Sequence, residues 1–565
     1  MSQTPLRRKL RINPALLFLL TVASLLIFSN LGAFRDFVRA ESYFALGSRL
    51  MVQEGDWLIP HAPDEPVLNK PPLQYWLTGI AYKLFGASYT TARLPSAMAA
   101  LAVLLVVYLL GAKLYDRSAG LIAVGCLTTS YIFYTFSRTG MSDMLLTLCV
   151  SVALACFILV LTGKSASYER WLALCGYLFV ALGVLTKGPV AVVLVAGTLV
   201  CELLFSRDLS VLKRLRIFQG ALIILGVAAP YFLMLYLRNG VEPLRSFFIG
   251  ENLQRFTGEI YAYATVPFWN LPLAFLSDFA PWSLLLFPAL YADWRARGLE
   301  PEARRSRRLI LFWLFFPLIF FFFSHFKLDY YLLPSMPAAA LVVGGFVARA
   351  HTLSRPLRAY IYAFAILFTL VLIAATVVST RLAAQFLLNT SFEWLLVAST
   401  AGAFIFALYS LYKGWPRRAV WSLIFSIWLV LLLHEWALAP ALSRYQPIER
   451  FSASIPATAT RVYTSYAASD WANTLTFHLP TGTKVTRLVT DRDGAMLQEV
   501  LKNEPNVFVL LKEEEYERLR ASGISLRVVA EGETLGHGGL TINMLRRPVP
   551  ERLRIVQSSN QASER

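Results

Sequence analysis

Ionisable side chains at the ends of long apolar runs are the residues of this sequence best suited to chemistry. A charge is costly to place beside or inside a membrane, so a charge that is kept there predicts a function. Lys70 is one such residue, in the stretch LNKPPLQYW at positions 68–76. Pro71 and Pro72 fix their own φ angles and restrict their neighbours, which stiffens the backbone beside the lysine. A cation held in this way suits an anionic group such as a phosphate.

The composition predicts a polytopic α-helical membrane protein. Of the 565 residues, 56% are hydrophobic and 16% are charged, which leaves too few polar side chains to cover a soluble surface. Apolar windows of about 20 residues, the length that crosses a bilayer, recur along the chain. They predict about thirteen spans, with cores at 14–33, 93–112, 119–136, 142–162, 171–186, 189–205, 217–237, 271–292, 309–324, 331–349, 358–379, 393–412 and 419–437.

The net charge of +18 raises the alternative of nucleic-acid binding, but the basic residues follow a membrane topology. The N-terminal segment and every second loop between the predicted spans carry lysine or arginine. These loops are 112–118, 163–170, 206–216, 293–308, 350–357 and 413–418. Such alternation is the positive-inside pattern. It predicts a cytoplasmic N-terminus and no nucleic-acid partner.

Three stretches are predicted to lie on the opposite, outer side. Loops 34–92 and 238–270 are long and mix aromatic, proline and charged residues, which is typical of helices in the membrane interface. Residues 438–565 are polar, with the strand-like runs RVYTSY, NVFVLL and SLRVVA and the helix-like run KEEEYERLRASG. The sequence therefore predicts a membrane domain at 1–437 and a small α/β domain at 438–565.

Acids near the predicted spans, and four cations that break the positive-inside pattern, fall on this outer side. A cluster of separated cations around one or two acids suits an anionic lipid headgroup. A carboxylate in the cluster would act as a base or position a substrate hydroxyl or amine. The acids are Glu41, Asp56, Asp143, Glu251, Asp278, Asp329 and Glu435, and the cations are Lys70, Arg138, Lys187 and Lys327.

Structural roles are the alternatives for several of these residues. Asp143, in SRTGMSDM, has the position of a helix cap with Arg138 as its partner. Glu41 would equally suit the solvated face of an amphipathic helix. Tyr330 and Tyr331, in HFKLDYYLLP, would suit an aromatic belt at the membrane surface.

Several function classes lack their motifs. The sequence has neither a Walker A loop nor a glycine fingerprint for nucleotides, which argues against ATP-driven transport and against a nucleotide-sugar donor. The five cysteines lie in or at the ends of apolar runs, and the six histidines are scattered. This pattern gives neither a disulfide framework nor paired metal ligands. No cofactor is predicted, and a divalent metal is left open.

The order and sidedness of these motifs resemble a known family. An acid after the first span and a Lys-Pro-Pro segment before the second are followed by an Asp in the second outer loop and TKG in the third. ENLQRF and PFW near 251–269 and KLxxY in the fifth outer loop complete the set. Over residues 10–440 they resemble the ArnT-type aminoarabinose transferase branch of the protein-mannosyltransferase superfamily. The resemblance implies a GT-C membrane glycosyltransferase in the bacterial inner membrane, with a periplasmic C-terminal domain.

The resemblance also implies substrates and a site. The donor would be 4-amino-4-deoxy-L-arabinose or a similar sugar on undecaprenyl phosphate, and the acceptor would be lipid A or another envelope component. Glu41 and Asp143 are the predicted catalytic residues, and Lys70 would bind the donor phosphate. The other predicted substrate-binding residues are Arg138, Lys187, Glu251, Arg255, Lys327, Tyr330 and Tyr331.

Three positions depart from the family pattern. The usual Asp-Glu pair after the first span reads Ala40-Glu41, so Glu41 must do the work of the missing Asp or the mechanism differs. Asn69 stands where many relatives have Glu, and Ala264 stands where they tend to have His. A metal bound through those two positions is therefore not expected.

Other functions stay as alternatives at this stage. Within the class, the acceptor would be a protein or a surface polysaccharide. A lipid or sugar transporter predicts charged or discontinuous helices at mid-membrane, and the sequence shows no such charges. A structural scaffold predicts that Lys70 and Asp143 tolerate alanine.

Overall fold

The computed structural model describes most of the chain. The described residues are 13–33, 36–37, 39–60, 70–163, 168–259, 267–296, 298, 300–385, 393–438, 443–480, 482–488, 491, 494–504, 507–534 and 551–558. Asn69 and Ala264, two of the departures from the family pattern, lie outside them. Within this part of the chain the fold is a helical membrane bundle followed by a small α/β domain.

The bundle begins with α1 (Pro14–Phe28), α2 (Arg39–Glu54), α3 (Leu73–Phe85), α4 (Tyr89–Leu114), α5 (Arg117–Thr128), α6 (Tyr131–Ser137), α7 (Ser142–Leu161), α8 (Glu169–Lys187) and α9 (Val190–Ser206). It continues with α10 (Ser210–Leu215), α11 (Ile217–Asn239), α12 (Glu242–Arg245), a π-helix (Ser246–Gln254), α13 (Arg255–Thr257), α14 (Asn270–Asp278), α15 (Ser283–Arg295) and α16 (Pro301–Phe322). It ends with a 3₁₀ helix (Asp329–Ser335), α17 (Met336–Ala348), a 3₁₀ turn (Ala350–Thr352), α18 (Arg355–Gln385), α19 (Glu393–Lys413), α20 (Pro416–Leu433) and a second π-helix (His434–Leu438).

Every predicted span core coincides with helix, but the predicted count of about thirteen spans is not confirmed. Among the described residues, eight helices are long and apolar enough to cross a membrane, or ten if each of two bent pairs is one span. The pair α5 and α6 is bent by 72°, and the pair α14 and α15 by 99°. Helix α1 has 15 residues and is therefore about 22 Å long, shorter than the roughly 30 Å of a bilayer core.

Local sequence explains where several helices begin. The Asn13 side chain accepts a hydrogen bond from the backbone N–H of Ala15 at 3.0 Å and caps α1. Ser88 and Thr91 form a reciprocal capping box at the start of α4, which satisfies backbone donors that the helix leaves open. The Asp116 side chain caps α5 by accepting from the Ala119 N–H at 2.7 Å.

The centre of the bundle consists of α7 and α17, which are buried along nearly their whole length. Close backbone approach supports this packing. A Cβ on Gly344 of α17 would lie 2.5 Å from the Ala119 carbonyl oxygen of α5, a distance that only glycine permits. The sequences of both helices are near-continuous apolar runs because the helices face other helices on all sides.

The C-terminal α/β domain contains a five-stranded sheet. Its elements are a 3₁₀ turn (Ser443–Tyr445), α21 (Ile448–Ser454), β1 (Arg461–Thr464), a 3₁₀ turn (Ser469–Trp471), α22 (Ala472–His478), β2 (Lys484–Arg487), α23 (Ala495–Asn503), β3 (Phe508–Lys512), α24 (Glu513–Ala521), β4 (Leu526–Thr534) and β5 (Glu551–Ser558). The strand order is β2-β1-β3-β5-β4. The β2–β1 and β1–β3 pairs are parallel, and the β3–β5 and β5–β4 pairs are antiparallel.

The α/β domain contacts the bundle through α22, which lies on α2. Phe477 packs against the rings of Phe37 and Tyr89, at centroid distances of 5.0 and 6.4 Å. Arg49 of α2 donates to the Leu479 carbonyl at 3.1 Å. Because α2 also forms a wall of the cavity described next, this interface bears on the site.

Candidate active site

A cavity of about 810 Å³, called here the site cavity, opens between α2, α7, the start of α9, the first π-helix and the end of α16. Its walls are mainly aromatic and aliphatic. The aromatic lining residues are Tyr43, Phe44, Tyr75, Phe247, Phe248, Phe256, Phe320, Phe321, Phe326, Tyr330 and Tyr331. A concave apolar site with a few converging polar groups is the usual form of a small-molecule or lipid site.

Five charged side chains line the site cavity among the described residues. Three are cations and two are carboxylates, so their summed charge is +1 at neutral pH. They are Lys70, Lys187, Arg255, Asp143 and Glu251. An excess of positive charge in an apolar surround favours an anionic ligand.

Lys70, Glu251 and Arg255 form one ion-pair cluster. Glu251 Oε2 accepts from Lys70 Nζ at 3.3 Å and from Arg255 Nη1 at 2.8 Å. Glu251 and Arg255 are four residues apart, at the end of the π-helix and the start of α13. A π-helix is rare, and it often marks a functional site because it re-aims side chains. Here it presents both residues to the cavity.

The local sequence fixes Lys70 at the start of α3. Pro71 and Pro72 are buried, and the Pro72 carbonyl accepts the first helical hydrogen bond from Trp76 at 2.8 Å. Proline suits a helix start because it lacks an N–H that would be left without a partner. The Lys70 side chain keeps 23% of its exposed surface, so a ligand can reach it.

The environment changes the pKa of two members of this cluster. Burial, with smaller contributions from the charges of Arg255 and Lys187 and against the opposing effect of Glu251, lowers the pKa of Lys70 to about 8. For Glu251, burial acts to raise the pKa, but the charges of Lys70 and Arg255 outweigh it and hold the pKa below its ordinary value. At neutral pH both cations and the carboxylate are therefore charged.

Asp143 and Lys187 form a second ion pair in the cavity lining. Asp143 is the second residue of α7 and is only 3% exposed, and Lys187 is the last residue of α8. The two side chains are hydrogen-bonded. Lys187 Nζ also lies 4.9 Å from the Tyr331 ring centroid and 5.5 Å from that of Tyr330, which adds cation–π attraction.

The turn after Lys187 depends on a glycine. Gly188 has φ +76, and a Cβ there would lie 2.6 Å from Phe247 Cζ. A left-handed backbone in contact with a ring leaves no room for a larger residue. The motif TKGP is thus explained by the packing of this turn against the first π-helix.

Glu41, a predicted catalytic residue, is not among the residues that line the cavity. Its side chain is fully buried and accepts from Arg93 Nε at 2.8 Å and from the Gly140 backbone N–H at 2.7 Å. Arg93 also donates to the Leu31 carbonyl at 2.9 Å. Glu41 therefore contacts the loop that leads to Asp143 rather than the cavity itself.

Arg138 and Lys327, two predicted substrate-binding cations, also lie outside the cavity lining. Arg138 is 8% exposed; it donates to the Leu26 carbonyl at 2.7 Å and to Glu435 Oε2 at 2.6 Å. It thereby ties the end of α1 to the second π-helix. Lys327 is half-buried before the 3₁₀ helix at Asp329.

The structure brings together Lys70, Asp143, Lys187, Glu251, Arg255, Tyr330 and Tyr331 around one cavity. The sequence analysis missed Arg93, the buried partner of Glu41, and Tyr43, which lines the cavity from α2. An arginine inside a predicted span was the available signal for Arg93. For Tyr43 the signal was its helical spacing from Ala40, which also lines the cavity.

Metal ligation has little support in the described part of the chain. No three His, Cys, Asp or Glu side chains converge there as a group that could hold an ion. The donor sets at the site are carboxylates already joined to lysine or arginine. The chemistry of the site is therefore derived from these charged side chains.

Comparison with solved structures defines the class of fold. The structure of ArnT from Cupriavidus metallidurans bound to undecaprenyl phosphate matches 97% of this chain and 99% of its own, with a TM-score of 0.73 at 22% identity. This chain therefore has the GT-C fold of membrane glycosyltransferases, as predicted. It is a polytopic membrane protein with a small C-terminal sheet domain.

Sequence comparisons give the particular relatives. Residues 69–233 match the family model described as dolichyl-phosphate-mannose-protein mannosyltransferase. An uncharacterized protein of Aquifex aeolicus (strain VF5) is 31% identical over 333 residues, 58% of this chain and 64% of that protein. The undecaprenyl phosphate-alpha-4-amino-4-deoxy-L-arabinose arabinosyl transferase of Pectobacterium carotovorum (strain PC1) is 33% identical over 315 residues, 54% of each chain. The predicted resemblance to ArnT-type proteins is confirmed, and the matches span between half and two thirds of these relatives.

Proposed function

We propose that this protein transfers a glycosyl group from an undecaprenyl-phosphate carrier to an acceptor at the site cavity. The observation that carries the proposal is the cluster of Lys70, Lys187 and Arg255 in an apolar cavity of about 810 Å³. Transfer from a polyprenyl phosphate leaves the carrier phosphate as the departing group. Fixed cations in a low-dielectric site stabilise that charge without reorganisation, which is commonly the largest catalytic contribution.

The contacts of the site residues support a proposed role for each. Lys70 and Arg255 share Glu251, and an incoming phosphate would compete with that carboxylate for both cations. Asp143, beside Lys187, is the carboxylate that would orient the acceptor or remove its proton. Glu41 would contribute indirectly by holding Gly140 and the loop that carries Asp143.

The sugar and the acceptor are proposed from the relatives. The printed name of the Pectobacterium protein supports 4-amino-4-deoxy-L-arabinose as the sugar, and the sequence resemblance points to lipid A as the acceptor. We place the reaction at the periplasmic face of the bacterial inner membrane, with a cytoplasmic N-terminus and a periplasmic domain at 438–565, because the basic loops follow the positive-inside rule. The matched mannosyltransferase family supports a protein acceptor as the alternative.

The test uses purified full-length protein in nanodiscs with a panel of undecaprenyl-phosphate sugars. Lipid A and an unfolded polypeptide serve as acceptors, and product mass is the readout. Lys70→Met and Asp143→Asn are each expected to lower the transfer rate by about 10²-fold or more. Matched controls are Lys83→Met, an exposed lysine over the Trp57 ring at 4.7 Å, and Asp470→Asn, an exposed acid of the α/β domain.

The outcomes separate the alternatives. Transfer to lipid A that is lost in both site variants and kept in both controls supports the proposal. Transfer to the polypeptide alone would replace lipid A by a protein acceptor. Movement of the labelled carrier across a liposome membrane without any product would favour the transporter. A wild-type rate in both site variants would contradict the assignment of the cavity.

A further inference from the structure

The wall that α2 contributes to the site cavity has one polar group among the described lining residues. Ala40, Tyr43 and Phe44 are the α2 residues that line the cavity. Ala40 and Phe44 present only hydrocarbon, whereas Tyr43 carries a hydroxyl. Spacings of three and four residues place all three on one face of the helix. Among the side chains of α2 that line the cavity, only Tyr43 can therefore offer a hydrogen bond to a ligand.

The Tyr43 hydroxyl is contacted from the C-terminal α/β domain. Arg487, the last residue of β2, has Nη1 3.5 Å from the Tyr43 oxygen, which is a long hydrogen bond. The guanidinium carbon lies 5.8 Å from the Tyr43 ring centroid, within the range of a cation–π contact. The α/β domain thus reaches a residue of the cavity wall through one arginine.

Arg487 is itself held by a second contact across the same boundary. Its Nη2 donates to Asn473 Oδ1 of α22. The Asn473 Nδ2 in turn donates to Ser42 Oγ of α2 at 3.2 Å. Asn473 is 3% exposed and Ser42 is 1% exposed, so this hydrogen bond is shielded from solvent. The network fixes the guanidinium relative to α2.

This geometry determines what the Tyr43 hydroxyl can do. A phenol has one O–H donor and lone pairs that accept. Because the Arg487 N–H donates to the oxygen, the O–H proton is left to donate elsewhere. A neighbouring cation also polarises the O–H bond and makes it a stronger donor. Its best acceptor in a cavity of net positive charge is an oxyanion.

We infer that the Tyr43 hydroxyl, oriented by Arg487 of the C-terminal α/β domain, donates a hydrogen bond to a phosphate oxygen of the ligand in the site cavity. The inference rests on the proposed function, since that function supplies the phosphate. The phosphate belongs either to the carrier lipid or to a phosphorylated acceptor. Tyr43 contacts the ligand, and Arg487 is a positioning residue that makes the α/β domain part of the site.

The test combines Tyr43→Phe, Arg487→Gln and the double variant in full-length protein in nanodiscs. Tyr43→Phe keeps the ring and its packing, so the variant is expected to fold, which its melting temperature checks. Matched controls are Tyr463→Phe and Arg461→Gln, whose partner Glu504 lies in the same domain. The first readout is the affinity for undecaprenyl phosphate. The second readout is kcat and KM, each measured for a phosphorylated lipid acceptor and for the same acceptor without its phosphate.

For a carrier phosphate, Tyr43→Phe is expected to weaken undecaprenyl phosphate binding by about tenfold. Arg487→Gln should weaken it by several-fold, and the double variant should bind no more weakly than Tyr43→Phe, because both act on one hydrogen bond. For an acceptor phosphate, carrier binding stays unchanged. The KM for the phosphorylated acceptor then rises in both variants, and the KM for the unphosphorylated one does not.

Other results overturn the inference. Wild-type binding and wild-type KM in Tyr43→Phe would remove Tyr43 from the site. If the double variant weakens binding by the product of the two single fold-changes, Arg487 does not act through Tyr43. A wild-type protein that binds the carrier but transfers nothing would contradict the proposed function. The effect of Tyr43→Phe and Arg487→Gln on carrier binding would then support or overturn the inference by itself. A wild-type protein that does neither contradicts both.

Discussion

At the scale of single residues, the cations of the site cavity are already paired. Glu251 joins Lys70 to Arg255, and Asp143 joins Lys187. Breaking a buried pair by removing one partner is far more destabilising than losing an exposed pair. A phosphate that displaces Glu251 keeps both cations satisfied. In the empty site, Glu251 therefore neutralises the partly buried cations Lys70 and Arg255. When a phosphate binds, it replaces Glu251 as their partner.

The lowered pKa of Lys70 predicts how anion binding depends on pH. Lys70 loses its proton as the pH rises through about 8, so its attraction for a phosphate is full below pH 7 and fades above 8. Undecaprenyl phosphate binding is expected to weaken by about tenfold between pH 7 and pH 9, measured by titration in nanodiscs. In the Lys70→Arg variant, undecaprenyl phosphate binding should not change between pH 7 and pH 9, because a guanidinium stays charged. Equal pH profiles for the two proteins would contradict the prediction.

The burial of Glu41 predicts that it acts through stability. Glu41→Ala leaves Arg93, which is 1% exposed, without the carboxylate that accepts two of its hydrogen bonds. Loss of one partner from a buried pair is expected to lower the free energy of unfolding by roughly 3–5 kcal/mol. Thermal unfolding in detergent checks this, with Glu54→Ala on the exposed end of α2 as the control. Lost transfer with an unchanged melting temperature would instead make Glu41 a residue of direct catalysis.

At the scale of elements, the site depends on helix ends and on short irregular helices. Lys70 precedes α3, Asp143 lies in the first turn of α7, and Lys187 ends α8. Glu251 and Arg255 lie at the junction of the first π-helix with α13. Helix ends place charged side chains at the boundary of an apolar bundle, where burial is partial and cheaper than at mid-membrane.

The turn between α8 and α9 predicts a strong effect of a small substitution. Gly188→Ala adds a Cβ that meets Phe247 and forces alanine into a left-handed backbone, which together should cost about 1–3 kcal/mol or more. It should also displace Lys187 and weaken carrier binding. Gly163→Ala is the control, because Gly163 also has positive φ (+68) but its Cβ would meet nothing within 4 Å. Equal melting temperatures and equal binding in the two variants would contradict this account.

At the scale of the whole molecule, the α/β domain is joined to the bundle by buried polar contacts. The Tyr89 hydroxyl donates to Asp36 Oδ1 at 3.1 Å and lies 2.9 Å from His478 Nε2 of α22. Phe477 fills the space beside them. Since α22 rests on α2, and α2 forms a wall of the cavity, the position of the domain and the shape of the site are coupled.

This interface predicts two opposing dependences of stability on pH. Burial raises the pKa of Asp36 from its ordinary 3.8 to about 7, so the stability that depends on its protonated form is fully present below 3.8 and is lost as the pH rises from there through 7. Burial lowers the pKa of His478 to about 4, so the stability that depends on its neutral form is present above 6.5 and is lost as the pH falls to 4. The two dependences are opposite in sign and occupy nearly the same window, so the melting temperature of the unmodified protein is expected to change little between pH 4 and 6.5.

Two variants check this profile. Asp36→Asn leaves only the His478 dependence, because the amide does not ionise, so the melting temperature of this variant should rise from pH 4 to 6.5. His478→Gln leaves only the Asp36 dependence, so the melting temperature of this variant should fall as the pH rises from 4 to 7. A wild-type profile in both variants, measured by thermal unfolding at constant ionic strength, would show that the interface does not govern stability.

Composition and pattern were sufficient for much of the architecture. Each predicted apolar window coincides with helix, since burial or lipid contact requires such windows in any arrangement, whereas α2 and α3 lie within the predicted outer loop 34–92. RVYTSY, NVFVLL and SLRVVA correspond to β1, β3 and β4, and KEEEYERLRASG corresponds to α24. The four-residue strand β2 was missed because it carries two basic residues and is too short for a period-two signal.

The sequence by itself determined the class of fold and the cation-rich motifs, but not the ion pairs: Asp143 pairs with Lys187 rather than with Arg138, which pairs with Glu435. Only the tertiary structure decided which charges share a cavity. Glu41 and Arg138 carry the same types of group at similar positions as Asp143 and Lys187, yet their side chains turn into helix–helix contacts. The joining of Arg487 to Tyr43 spans 444 residues of sequence. Contacts of that separation depend on how whole helices pack, and local pattern carries no information about such packing.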